Sequence, residues 1–206
     1  MNQPDFEGAR EYALKRLERE LAPSLFYHSL AHTRDEVAPA AERLAALEGV
    51  EGEQRLLLLT AAYYHDIGFV RQRHDHESAS VSIAQKVLPT FGYTPAQIQT
   101  IGRMIMATSI SREPRTLLEK ILVDADLDAL GTEAYDRRSM DVRRELEAFG
   151  STMSDEEWYR GQVELLQSHR YWTQAAQRLH QTGRQRNLEL ARARLEALQA
   201  KRAGGA

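Results

Sequence analysis

The chain has 206 residues, a net charge of -3 and no cysteine. That length suits one sizeable domain, with or without a helical appendage. It carries no basic field for nucleic acid, and it has neither disulfides nor thiolate metal ligands. The start, Met1 to Asp5, lacks the charged and apolar regions of a signal peptide, and the longest apolar run, Leu56 to Tyr64, is too short to cross a bilayer. The expectation is a soluble, cytoplasmic protein.

Nearly every segment has helical period. From Phe6 to Leu21, one stripe holds Phe6, Ala9, Ala13, Leu14 and Leu17, and Pro23-Ser24 breaks the chain. Thr33 to Leu47 is rich in Ala, Leu and Glu, with Gly49 and Gly52 as stops. Glu53 to Ile67 is an apolar helix with Gly68 placed as its C-terminal cap. A polar loop, 71–75, leads to a helix from His76 to Leu88, which Pro89 stops.

Thr94-Pro95 is an N-cap followed by proline at the first helical position, and the helix it opens aligns Ile98, Ile101 and Ile105. Thr116 to Leu130 is the next helix, with Gly131 after it. Ser154 to Glu157 is a capping box opening a long helix through Trp158, Leu165, Leu166, Trp172 and Leu179, which Gly183 ends. A last helix runs from about Arg184 to Ala200. There is no hairpin signal and no alternating run, so the fold class is all-α. Residues 1–206 read as a single helical domain, with a core of about 25–131 and a C-terminal extension of about 154–200. The amphipathic C-terminal helices leave room for a homodimer.

Five of the seven histidines lie between positions 28 and 76. His65-Asp66 closes the apolar stretch from Leu56 to Gly68. An unpaired buried charge there is very costly, and an Asp at a helix C-terminus needs a compensating cation. His28 and His32 lie four apart, a spacing that puts both rings on one face of a helix or tight turn. Three carboxylates compete for a further place. Asp124 shares a stripe with Lys120 and Asp128, which reads as a solvated face. Asp126 lies four residues from both Leu122 and Leu130, on an apolar stripe that demands a partner. Asp126 is the choice and Asp124 the fallback.

His32, His65, Asp66 and Asp126 thus make a candidate site for one divalent ion, and this donor set does not separate manganese, iron, cobalt, nickel, magnesium and zinc. The chemistry indicated is metal-assisted hydrolysis. His76 faces inward at a helix start, either toward a phosphate, a bound water or a second metal, or as a hydrogen-bonded core residue. Glu77 is either a proton acceptor or a first-turn acid. Arg71, Arg73 and His74 form a cationic loop beside the pair, either simply solvated, as basic loops usually are, or placed for substrate phosphate. His169 and His180 read as structural or exposed.

The order His32, His65-Asp66, Asp126 resembles the HD superfamily of metal-dependent phosphohydrolases. Residues Ile121 to Gly131 are similar to the Asp-Ala-Asp-Leu region of a bacterial branch of small predicted hydrolases. Tyr27 to His32 resembles the corresponding segment of the cyclic-nucleotide phosphodiesterases. His76 to Ala79 and, more weakly, Arg184 to Leu188 also look family-like. The resemblance covers about Leu25 to Gly131.

It implies an all-helical core holding one metal through His32, His65, Asp66 and Asp126. It also implies hydrolysis of a phosphoester or phosphoanhydride, with a phosphorylated small molecule, expected to be a nucleotide, as substrate. By similarity to the phosphodiesterases, His28 would protonate the leaving oxygen. The mechanism expected here has Asp66 both ligate the ion and orient the attacking water. Arg71, His76 and Glu77 are the expected substrate contacts.

Two features depart from the family pattern. Thr108 stands where two-metal members carry a histidine, and Ile67 to Arg71 hold no catalytic Glu. The alternatives are a non-catalytic module that senses nucleotide or metal, and a di-iron oxygenase, which the missing histidine disfavours.

Overall fold

The computed structural model describes residues 3–204, and they form helices and turns without a strand. The fold is all-α. Contacts group the chain into two compact units, one through Leu127 and one from Asp128 onward.

In the first unit, α1 (Phe6–Glu20) buries Ala9, Ala13 and Leu17, with Asp5 capping it through the amide of Gly8 at 2.9 Å. The helix read as Thr33 to Leu47 begins differently. Residues His32–Val37 are π-helical and run straight into α2 (Ala38–Leu47), with the Ala38 amide donating to the Thr33 carbonyl. Such wide turns are rare and concentrate at functional sites.

Next, α3 (Gly52–Tyr64) is buried on nearly all sides from Leu57 onward. It packs on α1, α2, α4 (His76–Val87), α5 (Pro95–Ala107) and α6 (Leu117–Asp126). A helix that is apolar all round belongs at the centre of a bundle. Leu58 and Tyr64 are fully covered, and Tyr64 donates its hydroxyl to the Ala9 carbonyl at 3.0 Å. Both α5 and α6 open with complete capping boxes, at Thr94/Gln97 and Thr116/Glu119.

Three expectations change within this unit. Gly68 is not a left-handed cap. It lies in a 3₁₀ turn, Ile67–Val70, where a Cβ would overlap the carbonyl oxygen of His76. Its smallness lets α4 start against the end of α3. Second, α6 stops at Asp126 rather than Leu130, and Asp126 becomes its last residue. Third, Asp124 does not lie on a solvated face. It is fully buried, because α6 is packed by α2, α3 and α5 as well as by the π-helical segment.

The second unit holds a turn at Asp128–Gly131, then α7 (Tyr135–Ala148), α8 (Asp155–Ser168) and α9 (Gln174–Gly204). Sequence reading assigned no element to α7, whose Arg- and Glu-rich stretch offers no clear apolar stripe. The long helix expected through Leu179 is two helices, broken at 169–173. Thr173 accepts from the Ala176 amide at 3.1 Å, and Arg184 donates to the carbonyls of Leu166 and His169, which satisfies the end of α8.

Gly183 ends nothing. It sits inside α9, where a Cβ would overlap the Gly131 carbonyl oxygen. Asn187 Nδ2 then ties α9 to the turn by donating to the carbonyls of Leu130 and Thr132, at 3.0 and 2.9 Å.

Candidate metal centre

Four elements of the first unit bring the site together. The π-helical segment supplies His32, the end of α3 supplies His65 and Asp66, the last residue of α6 is Asp126, and α4 opens with His76. Asp66 and Asp126 both stand at the carbonyl ends of helices. The helix dipole disfavours a carboxylate at such an end, so the placement calls for positive charge.

His32 is 1% exposed, His65 0% and Asp66 4%. His32 Nε2 lies 3.0 Å from Asp126 Oδ1 and 3.8 Å from Asp66 Oδ2. His65 Nε2 lies 3.3 Å from Asp66 Oδ2 and 3.5 Å from Asp126 Oδ1. The other ring nitrogens face outward to acceptors. His32 Nδ1 is 3.2 Å from Glu36 Oε2, and His65 Nδ1 is 2.7 Å from the Ala62 carbonyl. Each outward acceptor holds a proton on Nδ1, which leaves both Nε2 atoms aimed inward. His65 Nε2 and Asp66 Oδ2 are buried without a well-formed hydrogen bond. Such orphaned polar atoms cost free energy unless something else satisfies them.

Ligand atoms of His32, His65 and Asp66 lie within 4.8 Å of one another. Two imidazole nitrogens and hard carboxylate oxygens suit a divalent cation, so the residues present fit one.

The electrostatics agree with the geometry. Burial disfavours charge on His32 and His65, yet the adjoining carboxylates outweigh it and raise both pKa values, His65 well above the usual histidine range. Burial would likewise raise Asp66 and Asp126. His65, with His76 and His28, instead holds Asp66 well below the usual carboxylate range, while His32 and His65 lower Asp126. A cation between these groups would take the place of the shared protons, which couples metal binding to pH.

Further residues surround this core. His76 Nε2 is 3.4 Å from Asp66 Oδ1, and its Nδ1 is 3.6 Å from Glu77 Oε2. His28 stacks on Phe69 with ring centroids 4.3 Å apart, and His76 stacks on the same ring at 4.0 Å. The His28 and His76 rings lie 6.0 Å apart. Arg71 is exposed in the loop after the 3₁₀ turn, and no ion pair or hydrogen bond among the described residues joins its side chain to the four. Thr108 caps the end of α5 and donates to the Ile105 carbonyl at 2.8 Å.

Sequence reasoning missed three supports. Glu36 lies four residues past His32, a spacing that was legible. Phe69 and Ser80 gave no such signal. Ser80 Oγ accepts from the Gly68 amide and donates to the His65 carbonyl, both at 2.7 Å, and so pins the turn after His65-Asp66.

Among the curated proteins, none matches the chain significantly. Compared with protein families, residues 25–130 match the HD domain, a span of just over half the chain that contains His32, His65, Asp66 and Asp126. The chain belongs to the HD-domain superfamily of metal-dependent hydrolases.

Proposed function

We propose that the protein is a phosphohydrolase that cleaves a phosphoester or phosphoanhydride, with a nucleotide as substrate. The observation that carries this reading is the convergence of two buried Nε2 atoms on Asp66 and Asp126, with both outward ring nitrogens already engaged. His32, His65, Asp66 and Asp126 would hold one divalent ion. When bound, that ion lowers the pKa of water from about 15.7 towards roughly 7 and polarises a phosphoryl oxygen.

The remaining steps belong to the side chains. Asp66 has one oxygen toward His65 and the other toward His76, so it can fix a ligand geometry and orient the attacking water together. His28 is the general acid for the leaving oxygen, with its ring held flat against Phe69. Glu77 orients His76, and His76 with Arg71 neutralises phosphate charge, since positioning and electrostatics dominate phosphoryl transfer.

The test is release of phosphate or pyrophosphate across nucleoside mono-, di- and triphosphates and cyclic nucleotides. It is run with manganese, cobalt, nickel and magnesium, beside Asp66→Ala. Turnover of one substrate class by the native chain alone is expected. Equal turnover by Asp66→Ala would remove the assignment, and silence with metal still bound would favour a sensor.

A further inference from the structure

Away from the metal site, the first unit contains an open hollow of about 610 Å³. Its walls are Val81 and Gln85 of α4, Gly102, Arg103 and Met106 of α5, and the segment leading into α6. None of the four candidate ligands lines it, nor do His28, Arg71 or His76. That size is within the range of small-molecule pockets.

Its chemistry is two-sided. Val81, Ile98 and Met106 give an apolar floor, and Arg103, Arg112 and Arg115 give a cationic rim. Among the described residues, Arg103 Nη2 donates only to Thr100 Oγ1, at 3.0 Å. The side chains of Arg112 and Arg115 make no ion pair or hydrogen bond among the described residues. Two acids also border the hollow. Glu119 is buried and accepts from the amides of Arg115 and Thr116, at 2.7 and 3.3 Å, which fixes the rim while its carboxylate keeps its negative charge. Three arginines against Glu113 and Glu119 leave the lining with one net positive charge.

Gly102 is the second observation. It stands inside α5, where glycine weakens a helix, and its backbone is not left-handed. A Cβ there would meet only Val81, at 3.4 and 3.8 Å, so packing alone does not demand glycine. Without a side chain, Gly102 leaves that stretch of the lining free of bulk.

We infer that this hollow is a second ligand site, for a small anion with an apolar body carrying a phosphate, sulfonate or carboxylate head. Its occupant would touch α4 and α6, the helices that bear His76 and Asp126.

The probe is 8-anilinonaphthalene-1-sulfonate, titrated by fluorescence into the full chain. One saturable site is expected, with affinity falling as salt rises. Arg112→Gln/Arg115→Gln should weaken binding at least about tenfold, as loss of hydrogen bonds to charged groups does. Gly102→Leu should fill the floor and abolish it. Both variants are checked for native melting, and the exposed arginines keep the double variant clear of folding effects. Dye binding that survives either change overturns the proposal, as does multi-site binding indifferent to salt. Asp66→Ala should bind the dye as the native chain does, so this site and the hydrolase reading fail separately.

Discussion

Each unit of the molecule buries a histidine against an aspartate, and the two pairs do different work. In the second unit, His180 Nε2 lies 2.8 Å from Asp128 Oδ1, and Tyr171 packs beside the ring at 5.3 Å. Here one imidazole meets one carboxylate where α9 crosses the turn at Gly131. In the first unit, two imidazoles and two carboxylates converge, and each ring has a separate acceptor behind it. His180 Nε2 also lacks a well-formed hydrogen bond, but the single pair of His180 and Asp128 brings one imidazole and one carboxylate together. Convergence of two pairs, with each ring's far nitrogen engaged, is what gives a cation a place to sit.

Substituting the matching carboxylates would break the comparison most sharply. Asp126→Asn should abolish turnover and remove any rise of melting temperature on adding manganese, because the site loses an anionic donor. Asp128→Asn should leave that metal-dependent rise intact and cost about 1–3 kcal/mol of stability, the usual consequence of weakening a buried polar contact. Thermal and urea melts with and without manganese measure both. Equal metal responses in the two variants would erase the distinction.

A smaller effect should follow from Glu36→Gln. The glutamate touches His32 only at the outward nitrogen, yet a partner behind a ligand typically tunes metal affinity about 10–100-fold. Metal titration followed by activity checks this, and an unchanged affinity would reduce Glu36 to a surface contact.

The smallest effect is on acid stability in the second unit. Burial and the Arg184 guanidinium hold His169 down at about 4. Its folded value lies below the unfolded one, near 6.5, so the unfolded chain takes up the proton first. The stability from a neutral His169 is complete above about pH 6.5 and falls away as pH drops toward 4. His169→Gln should flatten that part of the stability curve relative to the native chain. Parallel curves from pH 7 to 4 would show that His169 is not the group responsible.

Much of the candidate site was legible because its chemistry conflicts with its surroundings. His65 and Asp66 close a run of leucines and tyrosines, and no solvated helix end needs that. The structure sets Asp126 Oδ1 at 3.0 Å from His32 Nε2 and 3.5 Å from His65 Nε2, while the expectation of a solvated Asp124 fails. Asp124 is the more buried of the two, because three helices and the π-helical segment cover α6 on faces that spacing treats as open. The capping box of α8 and the N-cap of α5 were legible because they are local, whereas the box at Thr116/Glu119 emerged only in the structure. The break between α8 and α9 was not, because it depends on Arg184 reaching back to carbonyls fifteen and eighteen residues away. Gly68 and Gly183 misled for one reason: each is small for the sake of a distant backbone, not for its own dihedral angles.

The π-helical start of α2 has a consequence for phase. A regular α-helix turns about 100° per residue, so a segment of wide turns slips by roughly one residue's rotation. Ala41, Leu44 and Ala45 keep their faces in the core on one side of the slip, while His32 faces the two carboxylates on the other. An uninterrupted α-helix through the same residues would have to surrender one alignment to keep the other. The helix is in effect two gratings, offset so that packing and chemistry are both in register.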